Sequence, residues 1–268
     1  MKKFLAGALL SVSALTLAAC GEEESNQLVV GASNTPHAVI LEEVKPILEE
    51  QGIELVIESY QDFVLPNKDL ESDELDANYF QHIPYLEDQI ATFGYDFVNA
   101  GGIHIEPIGL YSKKYGSVEE LPEGATILMS NSVPDHGRVL AMLENAGLIT
   151  LAEGVNKTTA EISDIVDNPK NLQFDPNYEA ALMVQLYEND EGDALLINSN
   201  YAIDAGLNPI EDSIAIENSD SPYVNIIATK AGNENNENIK ALVDALHSQE
   251  IQDFIQNKWG GSIVPVTE

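Results

Sequence analysis

The sequence predicts an α/β protein of two lobes. Three observations lead there. Strand-like and helix-like segments alternate through most of the 268 residues. The alternation halts near residue 112 and restarts from Ser117. A strand-like run returns at 223, ahead of the terminal helical segment. The restart marks a second lobe, and the return makes the first lobe discontinuous. Alternation of this kind also argues for mostly parallel strand pairing.

Taken in order, QLVVGAS (27–33) reads as a strand running into a turn. HAVILEEVKPILEEQ (37–51) places Ile40, Val44, Ile47 and Leu48 at helical spacing, with Pro46 as a kink. Gly52 ends that helix, and IELVIESY (53–60) alternates as a strand does. FQHIPYLEDQIATFG (80–94) is helical after Pro84, and FVNAGGIHIEPIGLYS (97–112) is strand-like with a Gly-Gly interruption. In the second lobe, ATILMSN (125–131) is a buried strand and GRVLAMLENAG (137–147) an amphipathic helix closing on Gly147. ISDIVDNPKNLQF (162–174) reads as a helix, an Asn-Pro stop and a short strand. NYEAALMVQLYEND (177–190) is helical, and DALLINSN (193–200) is a strand leaving into a polar loop. YVNIIATK (223–230) is a strand, and residues 236–260 form one or two helices with Ile239, Leu242, Leu246, Ile251 and Ile255 on an apolar face.

The first residues have another purpose. Lys2 and Lys3 precede an apolar, small-residue run from Phe4 to Ala19, which is short for a stable membrane span and reads as a secretory leader over 1–19. Cys20 is the only cysteine, so no intrachain disulfide forms and stability rests on packing. Residues 20–26 then make an acidic tether. Leu17-Ala18-Ala19-Cys20 resembles the bacterial lipobox. That resemblance implies cleavage before Cys20 and lipid on it, and two or more acyl chains hold a protein firmly at a membrane surface.

Twelve Lys and Arg face 45 Asp and Glu, a net charge of −33. Such a surface repels nucleic-acid phosphates and anionic headgroups, so neither is a partner. The acids are scattered and form no calcium loop of the D-x-[DN]-x-[DN]-G type, which leaves a heavily solvated acidic exterior.

In open α/β sheets, ligands gather at the carboxyl ends of strands. The residues there are Ser33 to His37, Tyr60 to Phe63, Asn131 to Arg138, Asn198 to Asn200, and Asn225, with the aromatic cluster Tyr79, Phe80, His82 and Tyr85 nearby. Arg138 opens a helix after a loop, where a guanidinium and free backbone N–H groups suit a carboxylate; a salt bridge to one of the many acids is the equal alternative. Asn198 and Asn225 carry neutral acceptor oxygens fit for an ammonium group, although turn and capping roles are common for Asn. The rings of Phe63, Tyr79, Phe80 and Tyr85 suit an apolar pocket wall or ordinary core. His104 and His247 receive no role. No G-x-S-x-G, H-E-x-x-H, P-loop or G-x-G-x-x-G motif is present, which argues against an enzyme. His37, His82 and His136 match no compact metal-ligand spacing, and neither metal nor cofactor is expected.

Several stretches together resemble the NlpA family of bacterial lipoproteins. They are VVGASNTPHAVILEEVKPILEEQGIELVI, DANYFQHIPYLEDQ, PIGLYSKKYGSVEELPEGATI, Gly137-Arg138, DIVDNPKNLQF, ALLINSNYAIDAGL and DSPYVNIIATK. The likeness runs from about Leu28 to Val266, and methionine-binding members fit best. It implies a type 2 periplasmic-binding fold: two α/β lobes joined by two crossing strands, with the ligand in the cleft and closure by hinge motion. The lobes fall at 27–110 plus 226–268, and at 111–225. It further implies a monomer, lipid-anchored on the outer face of the cell membrane. This monomer would deliver an amino acid to the permease and ATPase subunits of an ABC importer. Carried over by motif, Phe80, His82 and Tyr85 line the pocket, Arg138 clamps the ligand carboxylate, and Asn198 and Asn225 orient its polar end. This chain departs from the family at Phe63, where a tyrosine is usual, and at Ser132 and Asp135, where Asp and Asn are usual. Methionine leads as ligand. A methionine-containing dipeptide, another amino acid or a cationic ligand stay open, as does an envelope lipoprotein without a transport role.

Overall fold

The computed structural model describes residues 26–266. The leader, Cys20 and most of the tether lie outside the described residues, so the lipid-anchor expectation is not addressed by the fold. Among the described residues, no helix is long and apolar enough to cross a membrane.

The strands form two main sheets. The first contains β1 (Gln27–Ser33), β2 (Glu54–Tyr60), β3 (Ala77–His82), β4 (Phe97–Ile105), β12 (Val224–Lys230) and β13 (Val264–Pro265), in the spatial order β13-β4-β12-β3-β1-β2. The second contains β5 (Gly109–Tyr111), β6 (Thr126–Ser130), β9 (Gln173–Tyr178), β10 (Ala194–Ile197) and β11 (Ala215–Ile216), in the order β11-β5-β10-β6-β9. A small hairpin pairs β7 (Thr150–Leu151) with β8 (Ile165–Asp167). The chain passes between the main sheets twice, between β4 and β5 and again between β11 and β12.

Those crossings correct the expectation of mostly parallel pairing. β1 pairs parallel with β2 and β3, and β6 with β9 and β10. β12, however, returns from the second sheet and inserts antiparallel between β3 and β4. β5 and β11, the strands nearest the crossings, are likewise antiparallel to their neighbours. Alternation of strand and helix reports local connections, and it is silent about a strand that arrives from another sheet.

Each sheet is covered on both faces. On the first, α1 (Val39–Glu49), α7 (Glu237–Leu246) and α8 (Gln249–Trp259) bury Ile40, Val44, Leu48, Leu242, Leu246 and Ile255 against Val30, Leu55, Ile103 and Ile227. On its other side, α2 (Leu65–Glu71) and α3 (Ile83–Phe93) contribute Leu70 and Leu86 to a second cluster with Ile226 and Ala228. Successive β12 residues thus serve opposite faces, as the pleat requires. The helix α1 runs on through Pro46 to Glu49. The second sheet has α4 (Val133–Asn145) on one face, with Leu140 and Leu143 against Ile127, Met129 and Leu196. Its other face meets α5 (Met183–Glu188) and α6 (Ser199–Asp204), around Met183, Tyr111, Leu195 and Ile197.

Two helical expectations shrink. In 162–174 only one tight turn, Ile162–Asp164, is helical. Glu161 and Asp164 cap it reciprocally, and β8 follows at once. Asn168 then bonds Leu172 through both its amide oxygen and its amide nitrogen, closing the turn before β9. Over 177–190, β9 persists to Tyr178 and the regular helix begins at Met183.

Candidate functional site

The cleft side of the first sheet is built from one cross-strand row. Asn225 on β12 is in register with His82 on β3 and with His104 on β4. All three are buried. His82 ends its strand and caps α3, its Nδ1 accepting from the Tyr85 backbone N–H at 3.1 Å. That leaves Nε2 as the ring donor, and it lies 3.1 Å from Asp135 Oδ1. His37 follows β1 on a short helical segment, with Nε2 3.1 Å from both Asn225 Oδ1 and Glu106 Oε1. His104 Nε2 is 2.7 Å from the same Glu106 oxygen, and its Nδ1 is 2.5 Å from the Tyr79 hydroxyl. His37, His104 and Glu106 are also, among the described residues, the group whose donor atoms cluster closely enough to hold an ion. Their separations are those of a hydrogen-bonded chain, with each Nε2 spent on the carboxylate. His136 stands apart, on Ser130 O.

The other wall comes from α4. Its first residue is Val133, with Pro134 in the first turn, so Arg138 sits a turn and a half into the helix. This corrects the expectation that Arg138 opens the helix, and free N–H groups there do not assist it. Proline in the first helical turn is the signal that places the start earlier. The guanidinium is buried and multiply bonded. Nε and Nη2 donate to Glu217, Nη2 also donates to the Glu106 backbone carbonyl at 2.6 Å, and Nη1 lies 3.5 Å from Asp135. The group lies 4.6 Å over the Tyr223 ring. Both alternatives raised for Arg138 therefore meet in one place: it is paired with acids, and it lines the cavity.

Asn198 follows β10 and occupies the N-cap position of α6, yet its side chain makes no capping bond. Its Nδ2 reaches towards Asp135 at 3.5 Å, and its Oδ1 is buried without a partner. An orphaned acceptor of this kind is costly unless something donates to it.

Electrostatics divide the acids. Burial alone would raise the Asp135 pKa, but the hydrogen bond and charge of His82, with Arg138, hold it well below its ordinary value of 3.8. Its contribution to stability is complete above the unfolded value and is lost as pH falls through the depressed native one. Asp135→Asn should therefore flatten the loss of stability below about pH 4, read by thermal denaturation across pH; an unchanged acid profile would reject that role. Glu106 behaves oppositely. Burial raises it, only partly countered by His37 and Arg138. Burial lowers His37 to about 4 and His104 to about 3, so both imidazoles are neutral near pH 7.

Phe63, Phe80, His82, Tyr85, Arg138, Asn198 and Asn225 all line one cavity. The cavity is partly open to solvent. Tyr79 lies instead in the core beneath, held through His104. Rings of Phe63, Phe80 and Tyr85 pack at centroid distances of 6.0–6.3 Å at one end. Tyr85 donates to the Phe63 carbonyl at 2.8 Å. Across the mouth, Tyr201 on α6 lies 5.0 Å from the Phe63 ring and donates to Gln61 O at 3.2 Å. Gln81, Glu106, Ser199 and Asn200 also line the cavity, and sequence reasoning gave none of them a role. Glu106 had a legible signal, an acid inside the apolar run IHIEPIGL.

The sequence model of the family described as NlpA lipoprotein matches residues 28–267. The chain belongs to the NlpA lipoprotein family. Among NlpA relatives, the methionine-binding lipoprotein MetQ of Bacillus subtilis (strain 168) is 50% identical over 275 residues, covering 100% of both chains. A nutrient-binding protein from Burkholderia cenocepacia, solved bound to methionine, superposes with TM-score 0.83 at 37% identity, covering 89% of this chain and 99% of that one. A periplasmic substrate-binding protein of an ABC transporter from Coxiella burnetii matches with TM-score 0.83 at 35% identity, covering 89% and 100%. The two sheets and the cavity between them are the two-lobed binding-protein fold of these NlpA neighbours.

Proposed function

We propose that this chain is the substrate-binding lipoprotein of an ABC importer and carries methionine, in its L- and also its D-form, in the cavity between the lobes. One observation carries the reading. The cavity is divided, with aromatic rings at one end and Arg138, the unpartnered Asn198 oxygen and Asn225 at the other. A zwitterion with an apolar thioether tail fits that division. Sulfur packs well on aromatic edges, a guanidinium takes a carboxylate, and amide oxygens take an ammonium. The B. cenocepacia relative solved with methionine supports it. On this reading Phe63, Phe80, His82 and Tyr85 hold the side chain. The lobes divide at 27–110 with 226–268, and at 111–225. Cys20 carries the lipid on the outer face of the membrane, and a permease and an ATPase are the partners. The ligand leaves chemically unchanged.

Methionine at a hundredfold excess over Kd should stabilise the protein by about 2.7 kcal/mol. For a chain of this size that is a rise in Tm of roughly 5–10 °C. Calorimetric melting with a panel of amino acids and short peptides checks this, and a panel that leaves Tm unmoved would overturn the reading.

A further inference from the structure

The acids at the cavity are not equivalent. Glu217 is matched by Arg138, and Asp135 by Arg138, His82 and Asn198. Glu106 differs. Among the described residues its carboxylate contacts the two imidazoles of His37 and His104 and the backbone N–H of Asn200, and no Lys or Arg nitrogen lies within salt-bridge distance of it. Arg138 bonds only its backbone carbonyl. Glu106 is 7% exposed and lines the cavity, so its remaining surface faces the ligand space. Its Oε1 takes both imidazole donors, and the Asn200 backbone N–H also bonds the carboxylate; all three donors are neutral groups, so the negative charge is left without a cation. The unpartnered Asn198 oxygen lines the same space. A buried carboxylate without a cation is expensive, and a ligand that supplies the cation is bound correspondingly well.

We propose that Glu106 is the counter-ion of the ligand's α-ammonium group. This rests on the amino-acid reading above and names a residue that the family motifs did not supply. A proton accompanies the event. Burial favours the protonated carboxyl in the empty cleft; where Glu106 holds that proton, the O–H bond breaks as the ammonium arrives, the proton passes to water, and a carboxylate–ammonium pair remains. The charged and titratable groups around Glu106 are His37 after β1, Tyr79 and His82 on β3, His104 on β4, and Arg138 and Asp135 on α4, with Glu217 behind Arg138. His37 and His104 stay neutral and Asp135 stays ionised near pH 7, whereas burial lifts Glu106 above the ordinary carboxylate value. Affinity for an amine-bearing ligand should therefore increase as pH rises from about 4.5 through the raised Glu106 value.

Titration calorimetry tests this with methionine and with 4-(methylthio)butanoate, which lacks only the amine. Both are run in two buffers of different ionisation enthalpy, on the intact protein and on Glu106→Gln. The unmodified protein should prefer methionine by about a hundredfold or more and should release part of a proton on binding it. Glu106→Gln should weaken methionine by about ten- to a hundredfold, leave the desamino compound within about threefold, and abolish the proton release. A variant that keeps the full preference for methionine overturns the proposal. So does an unmodified protein that exchanges no proton with methionine at any pH from about 4.5 to 7, a measurement that needs no variant to fold. Failure of methionine to bind the unmodified protein would instead remove the amino-acid reading, and this inference with it.

Discussion

On the proposed reading, Arg138→Ala should weaken methionine binding by about ten- to a hundredfold, because the charge-assisted contact from Nη1, the guanidinium nitrogen not spent on Glu217 or the Glu106 carbonyl, disappears from a buried site. The same change weakens the pairing of two carboxylates. Glu217 loses both guanidinium donors, and Asp135 loses its cation. Removing one partner from a buried ionic group costs about 3–5 kcal/mol, so Tm should fall by roughly 6–20 °C as well. Arg138→Lys separates the effects. It retains the charge but cannot serve Glu217, the Glu106 carbonyl and a ligand at once, so it should recover stability in part and affinity less. Calorimetric binding and melting on both variants check this. Unchanged affinity in Arg138→Ala would remove Arg138 from the site.

The neighbouring glycine carries the second large effect. A Cβ on Gly137 would stand 2.5 Å from Lys157 O and 2.6 Å from the carbonyl carbon and oxygen of Thr158. These are backbone atoms, which cannot swing aside as a side-chain tip can. Gly137→Ala should cost about 1–3 kcal/mol, a fall in Tm of roughly 2–12 °C. It should also weaken the ligand, although residue 137 does not line the cavity. The Thr158 carbonyl accepts from Tyr223 at 3.3 Å, and the Tyr223 ring lies under the Arg138 guanidinium. A shift of the 157–158 segment therefore reaches the cation that faces the cavity. Normal melting in this variant would refute the close approach of α4 to that segment.

Much of this molecule was legible in its sequence, and the illegible part has physical causes. Local periodicity marked β1, α1, β2, β6 and β10 within a residue or two, because each buries its own apolar face. It missed the direction of β12, since strand orientation is decided by where the chain returns from. It overread 162–174, where the Glu161–Asp164 cap and the Asn168 turn satisfy the backbone without a helix. Motif likeness picked out six cavity residues that lie as far as 145 positions apart, from Phe80 to Asn225. Composition could not show that Arg138 shares its donors with Glu217, a residue 79 positions away. Glu106 stood out as an acid in an apolar run but pointed to no partner, and His104 looks ordinary alone; only the register of β4 beside β12 brings them to His37 and Asn225.

The contact at the cleft mouth bears on how fast cargo can leave. Tyr201 from one lobe donates to the main-chain oxygen of Gln61 on the other. A main-chain acceptor survives any substitution at its own position, so the clasp is adjustable from the tyrosine side alone. One neutral hydrogen bond contributes about 1 kcal/mol, roughly a fivefold change in the ratio of shut to open molecules. The buried charges deep in the cleft can thus grip with high selectivity while the outermost fastening stays light. On the transport reading, selectivity rests on the buried charges and dwell time on the clasp, so the pace of unloading is open to change without altering what is picked up.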